Sequence, residues 1–284
     1  MVVLVLGKSR YYFKPNILSA NGSIIVTDPK GELLRDCGYS LKNKGYTIKV
    51  LNLDEKSNSN HYNPLMYIKE IKNFDDVLHK DINSHAIQED DVMTLINTLM
   101  LNTKVETIDN TSGDPFWNKA EMIYLQALFY YTLRHYDKRH QNFTTILKLI
   151  RLSSPDNTGV SALDRLFDEW AKNEPDAIGV KQYKHFKVAA SAPKMMSTII
   201  MVATARLAAF NIKEIANLTD TDDMELSRIG MPMDDNSHLL KEIRNKTGKN
   251  IGNGKIAYFI ITKPSDSTFN FLASIFYTQI FAMI

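Results

Sequence analysis

The chain has 284 residues, 44% hydrophobic and 23% charged, which suits a globular protein with one large domain or two smaller ones. A net charge of +2 gives no whole-molecule field for nucleic acid, so any polyanion contact must come from local patches. One cysteine, Cys37, cannot form an internal disulfide; it reads as a buried filler in a reducing compartment. The most apolar stretches, 195–210 and 269–284, are shorter or more polar than the roughly 20 clean residues of a membrane span, and 1–10 lacks the basic start of a signal peptide.

In chain order, 2–6 is a continuous apolar run that predicts a fully buried strand. A helix over 9–20 follows, with Pro15 inside it as a kink. Residues 23–27 predict a second strand, 31–42 a second helix, and 46–53 a third strand. Strand, helix, strand, helix, strand is the pattern of a parallel sheet. A polar loop, "DEKSNSNHYNPL", then interrupts it. From 68 to 218 the sequence predicts helices and no strand: 88–102, a long helix opening at Asp114 with Pro115 in its first turn, 143–152, 163–172, 180–190 and 194–210. Residues 231–254 read as a surface loop. The run 255–262 predicts one more strand, and a last helix capped by Ser267 or Thr268 runs to the end.

Four stretches have residues that suit chemistry. "GKS" at Gly7, Lys8 and Ser9 lies between a strand and a helix, the context of a phosphate-binding loop, where a lysine neutralises phosphate and a hydroxyl holds Mg²⁺. Spacing alone also fits a tight turn with a surface lysine. The acids in "VLNLDEK" follow an apolar strand, as metal-holding acids do, but they also open a polar loop. "KQYKHFK", with Lys181, Lys184 and Lys187, and "RHYDKRHQN" interleave basic and aromatic residues; either can meet nucleic acid or form a solvated helix face. The histidines show no metal-ligand spacing, since His135 and His140 are five apart and no cysteine pair joins them. Phe129, Tyr130 and Tyr131 read as helix-core packing.

"KSRYYFKPNIL", "SIIVTDPKGELL", "YTIKVLNL" with "NPL", "DPFWNKAEMIYLQAL" and "STFNFLASIFYTQIFAMI", in this order, resemble the type IV secretion coupling proteins of the TraG/TraD class. The resemblance implies a RecA-like P-loop NTPase fold of α/β class, its parallel sheet interrupted by an inserted all-α domain. The core would be 1–67 with 219–284, and the insertion 68–218. It implies ATP and Mg²⁺ at a site containing Gly7, Lys8, Ser9, Asp28, Lys30 and Glu32, with Ser9 on the metal. It further implies a homo-hexamer at the cytoplasmic face of the cell membrane, with relaxase or relaxosome, single-stranded DNA and secretion-channel proteins as partners. Asp28 also suits a helix N-cap, with Pro29 in the first turn.

Two departures shape the expectation. The family's loop is longer by about five residues than the step from Leu6 to Gly7 allows, given the glycine-rich pattern such loops use. The family also continues to a further strand carrying catalytic acids, beyond the point where this sequence ends, and begins with membrane helices that are not in it. The reading is therefore a truncated or degenerate coupling protein of an ATP-driven DNA-transfer system. The alternative is a non-hydrolysing binding module whose helical domain recognises relaxosome protein or DNA.

Overall fold

The computed structural model describes residues 8–72, 85–103, 115–229 and 254–284. The expected strand 2–6, Gly7, Asp114 and the expected loop 231–254 (except Gly254) lie outside these residues. Contacts divide the chain into two compact units, one made of Met1–Tyr62 with Asp222–Ile284, the other of Asn63–Thr221.

The first unit is an α/β layer. The strands are β1 (Ile24–Thr27), β2 (Thr47–Asn52) and, from the far end of the chain, β5 (Ile256–Ile261). They form a parallel sheet in the order β1-β5-β2. The strand last in sequence is thus central. All six β5 residues are buried, as an apolar run covered on both faces requires. On one face Ala257 and Phe259 pack with Leu33, Cys37 and Leu41 of helix α2 (Glu32–Asn43) and with Ile17 of helix α1 (Lys14–Ser19). On the other, the Tyr258 ring meets Phe276 of helix α10 (Asn270–Phe281) edge to face at 5.7 Å. Cys37 is fully buried, and burial pushes its thiol pKa up.

Ahead of α1, Ser9–Phe13 form a π-helical turn, closed by the Lys14 N–H donating to the Ser9 carbonyl. Pro15 explains it. In a regular helix the proline would have no N–H for the Tyr11 carbonyl, and its ring would press on that oxygen. Widening the turn relieves the clash, and the Asn16 side-chain amide takes up the Tyr12 carbonyl at 2.7 Å. The expected kink is this wider turn.

The described residues of the second unit are mainly helical. Strands β3 (Glu70–Lys72) and β4 (His85–Ile87) pair antiparallel, which corrects the expectation of no strand in 68–218. Three-residue strands are too short to show an alternating pattern. The helices are α3 (Glu89–Asn102), α4 (Pro115–His135), α5 (Phe143–Arg151), α6 (Ala162–Asn173), α7 (Ile178–Ala189), α8 (Pro193–Arg206) and α9 (Lys213–Asp220). Helix α4 packs against α3, α5, α7 and α8, and Phe129, Tyr130 and Tyr131 are buried on it as expected. Helix α8 stops at Arg206, short of the expected 210, and a 3-10 turn at Ala208–Asn211 follows.

Arg206 is buried with Glu121, its Nε and Nη2 donating to the two carboxylate oxygens at 2.6 and 2.8 Å, and its Nη1 donating to the Met100 carbonyl at 3.1 Å and to the Thr103 carbonyl. One side chain therefore ties the end of α3 to α4 and α8. A buried pair of this kind has little net stabilising value against an apolar replacement, but removal of one partner strands the other charge.

Candidate functional site

The site lies at the carboxyl end of β1, where ligands bind in open parallel sheets. The strand is pinned there by the Asp28 N–H donating to the Ile260 carbonyl at 2.8 Å. Asp28-Pro29-Lys30-Gly31 then make a tight turn, the Gly31 N–H donating to the Asp28 carbonyl at 3.1 Å. Gly31 has φ +64° in the helix N-cap position, a left-handed conformation that glycine takes without steric cost.

This corrects the assignment of Asp28 as the N-cap residue with Pro29 in the first turn. Instead the Asp28 carboxylate reaches forward six residues, and its Oδ2 accepts from the Leu34 N–H at 2.9 Å. The acid still satisfies one of the orphan donors of α2 and places negative charge at the positive end of the helix. Asp28 is only 1% exposed, and its second oxygen, Oδ1, has no hydrogen-bond partner among the described residues.

Around this turn is a cleft of about 440 Å³, lined by Ser9, Arg10, Phe13 and Lys14 from the π-turn and α1, and by Thr27, Asp28, Pro29, Lys30, Glu32 and Leu33 from β1 and α2. The structure thus gathers Ser9, Asp28, Lys30 and Glu32, which lie up to 23 positions apart in sequence. Lys8 is exposed and does not line the cleft, and Gly7 is outside the described residues. Besides Asp28, two lining residues have fixed partners. The Lys14 ammonium pairs with Asp36 at 2.5 Å, and the Thr27 hydroxyl shares a hydrogen bond with the Tyr277 phenol at 2.5 Å. By contrast, Lys30 and Glu32 make no side-chain hydrogen bond or ion pair among the described residues, the Ser9 hydroxyl makes none either, and Arg10 contacts only the Tyr11 ring.

The cleft therefore offers two uncommitted cations, a hydroxyl and a carboxylate. Arg10 presents a planar fork suited to phosphate oxygens, and Lys30 a compact point charge. The oxygen donors Ser9 and Glu32 are hard ligands of the kind Mg²⁺ accepts, usually with one or two carboxylates and substrate phosphates completing its shell. Among the described residues no group of three or more His, Cys, Asp or Glu side chains is placed to hold a metal ion.

The acids of "VLNLDEK" do not line this cleft. The Asn52 Oδ1 accepts from the Asp54 and Glu55 N–H groups at 3.1 and 2.9 Å, and Lys263 stands 3.7 Å from Asp54. They open a loop, as the plainer reading has it.

In the helical unit, two of the lysines singled out on α7 are already engaged. Lys187 pairs with Asp164 at 2.8 Å and Lys181 with Asp176 at 3.2 Å, while Lys184 is exposed and makes no ion pair among the described residues. Asp164 is a hub. It completes a capping box with Ser161 and accepts from the Tyr183 phenol at 2.9 Å. Burial alone would raise the Asp164 carboxyl, but Lys187, Ser161 and Tyr183 outweigh it and hold its pKa at about 2. In "RHYDKRHQN", whose last two residues are buried, Lys138 pairs with Glu70 at 2.6 Å and His140 with Asp137 at 2.5 Å.

The sequence reading missed Arg10 as a cleft residue. Its signal was available, since it stands one position after Ser9 in an acid-free stretch. Phe13 gave no such signal, because an aromatic in a helix reads as core.

A family model for type IV secretory system conjugative DNA transfer matches residues 7–235. The chain belongs to that family, and its place is in conjugative DNA transfer through a type IV secretion system. No curated protein matches the chain. No helix among the described residues is long and apolar enough to cross a membrane.

Proposed function

We propose that the chain is a coupling-protein-type component of conjugative DNA transfer whose strand-end cleft binds the phosphates of a nucleotide without hydrolysing it. The single observation that supports this is the convergence of uncommitted Ser9, Arg10, Lys30 and Glu32 around one cleft at the carboxyl end of a parallel sheet. Arg10 and Lys30 neutralise phosphate charge, and Ser9 and Glu32 supply oxygens to the Mg²⁺ that accompanies it. Magnesium, when bound, spreads the charge of the phosphate oxygens. Turnover is not expected, because the sequence before "GKS" lacks the further glycines of a phosphate-binding pattern, whose backbone N–H groups surround a triphosphate. Asp28, the buried acid of the site, is also committed through one oxygen to holding α2.

The test is titration of the full chain with a fluorescent ATP analogue in Mg²⁺, with phosphate release followed in parallel. Saturable binding, competed by both ATP and ADP and weakened about 10-fold or more by Lys30→Ala, is expected for loss of a charged hydrogen bond to phosphate. Phosphate release should stay at background. Absence of saturable binding would remove the proposal, and release abolished by Lys30→Ala would make the protein an enzyme.

A further inference from the structure

The turn that delivers Ser9 and Arg10 to the cleft carries a second feature that nucleotide binding does not use. Tyr11 and Tyr12 point away from the core, 76% and 65% exposed, and neither lines the cleft; Phe13 beside them is 40% exposed. Large aromatics at this exposure in adjacent positions are costly to leave in water, and they are held in a set arrangement. The Arg10 guanidinium lies 5.8 Å from the centre of the Tyr11 ring, and the Tyr12 and Phe13 rings meet edge to face at 5.5 Å. The π-helical turn fixes their spacing, and Pro15 fixes the turn.

The charge carried by the turn and its sequence neighbours has one sign. From Lys8 to Thr27 the sequence has no Asp or Glu and carries Lys8, Arg10 and Lys14. Lys14 is spent on Asp36, which leaves Lys8 and Arg10 as cations beside the rings. Exposed aromatics flanked by uncommitted cations are complementary to a single nucleic-acid strand, whose unpaired bases offer π-faces and whose backbone offers negative charge. A duplex keeps its bases stacked on each other and offers the rings nothing.

We infer that the π-turn Ser9–Phe13 is a stacking platform for single-stranded nucleic acid, with the Tyr11 and Tyr12 rings on successive bases and Lys8 and Arg10 on the backbone. The two tyrosine rings lie outside the phosphate cleft, whereas Arg10 lines it and is shared between the two surfaces.

The experiment uses the full chain and a fluorescein-labelled oligothymidylate, read by fluorescence polarisation. Binding should weaken about 5-fold or more with Tyr11→Ala and with Tyr12→Ala, the scale of one lost base stack. It should be retained by Tyr11→Phe and Tyr12→Phe, which keep the ring, should fall as salt rises, and should exceed binding of the same sequence as a duplex. These positions are exposed, so thermal melting of the variants should match the parent. Equal affinity of the double alanine variant would overturn the inference, as would equal binding of duplex. Loss of a concentration-dependent dimer in the double variant, with oligonucleotide binding unchanged, would show the surface to belong to a second copy and would also overturn it. Fluorescent-ATP binding should be untouched by either alanine change, which separates failure here from failure of the cleft.

Discussion

Asp28 shows how one side chain serves both structure and site. Its Oδ2 caps α2 through Leu34, while Oδ1 stays buried without a partner. The two oxygens predict different consequences for two substitutions. Asp28→Ala removes the acceptor and should cost about 0.5–2 kcal/mol, the range for lost helix caps. Asp28→Asn keeps an acceptor of the same shape and should cost less. Thermal or urea melting of the purified chain measures both, and an alanine variant as stable as the parent would show that the cap contributes nothing. The identity of Asp28 as a special residue was legible in "TDPKGELL", since acid, proline and glycine crowd between a strand and a helix. Its manner of capping was not. A contact spanning six residues depends on Gly31 taking φ +64°, and a sequence pattern carries no backbone angle. The last helix holds the same lesson. Asp266, not Ser267 or Thr268, organises its entry, accepting from the Thr268 N–H at 2.9 Å, and the helix begins at Asn270.

At the scale of elements, long periodic helices and buried strands were legible because burial imposes their patterns. The pair β3 and β4 was not, since three residues show no period. Strand order was hidden for a different reason. Nothing local in "KIAYFIIT" says that it inserts between β1 and β2; only its unbroken apolar run marks a strand covered on both faces. Helix α7 depends on close approach. A Cβ on Gly179 would stand 2.4 Å from the Trp170 ring of α6 and 2.9 Å from the Tyr130 Cβ of α4. Gly179→Ala should therefore destabilise by about 1–3 kcal/mol, the cost of overpacking a filled core. Chemical denaturation reads it, and an unchanged midpoint would mean that α6 and α7 yield freely. Because Trp170 also donates to Glu174 at 3.1 Å, its ring has little room to retreat.

For the molecule, the sheet layer comes from both ends of the chain. The returning segment is laced to the stretch that follows β2, the Asp223 N–H donating to the His61 carbonyl at 3.0 Å and the Asp223 Oδ1 accepting from the His61 N–H at 2.8 Å. The sequence switches periodicity after the third expected strand, and the second compact unit, Asn63–Thr221, contains most of the helices among the described residues. The cleft was legible in part. Ser9 stood out in the "GKS" motif and the resemblance implied Asp28, Lys30 and Glu32, whereas Arg10 and Phe13 needed the π-turn to bring them round. Membership in the conjugative DNA-transfer family gives the setting for both proposed binding surfaces. The most direct measurement is hydrogen exchange of the full chain with and without Mg²⁺ and ATP. Slower exchange confined to peptides covering 9–14 and 27–34 is the predicted result. No change in those peptides, or protection only in the helical unit, would contradict a nucleotide at the end of β1.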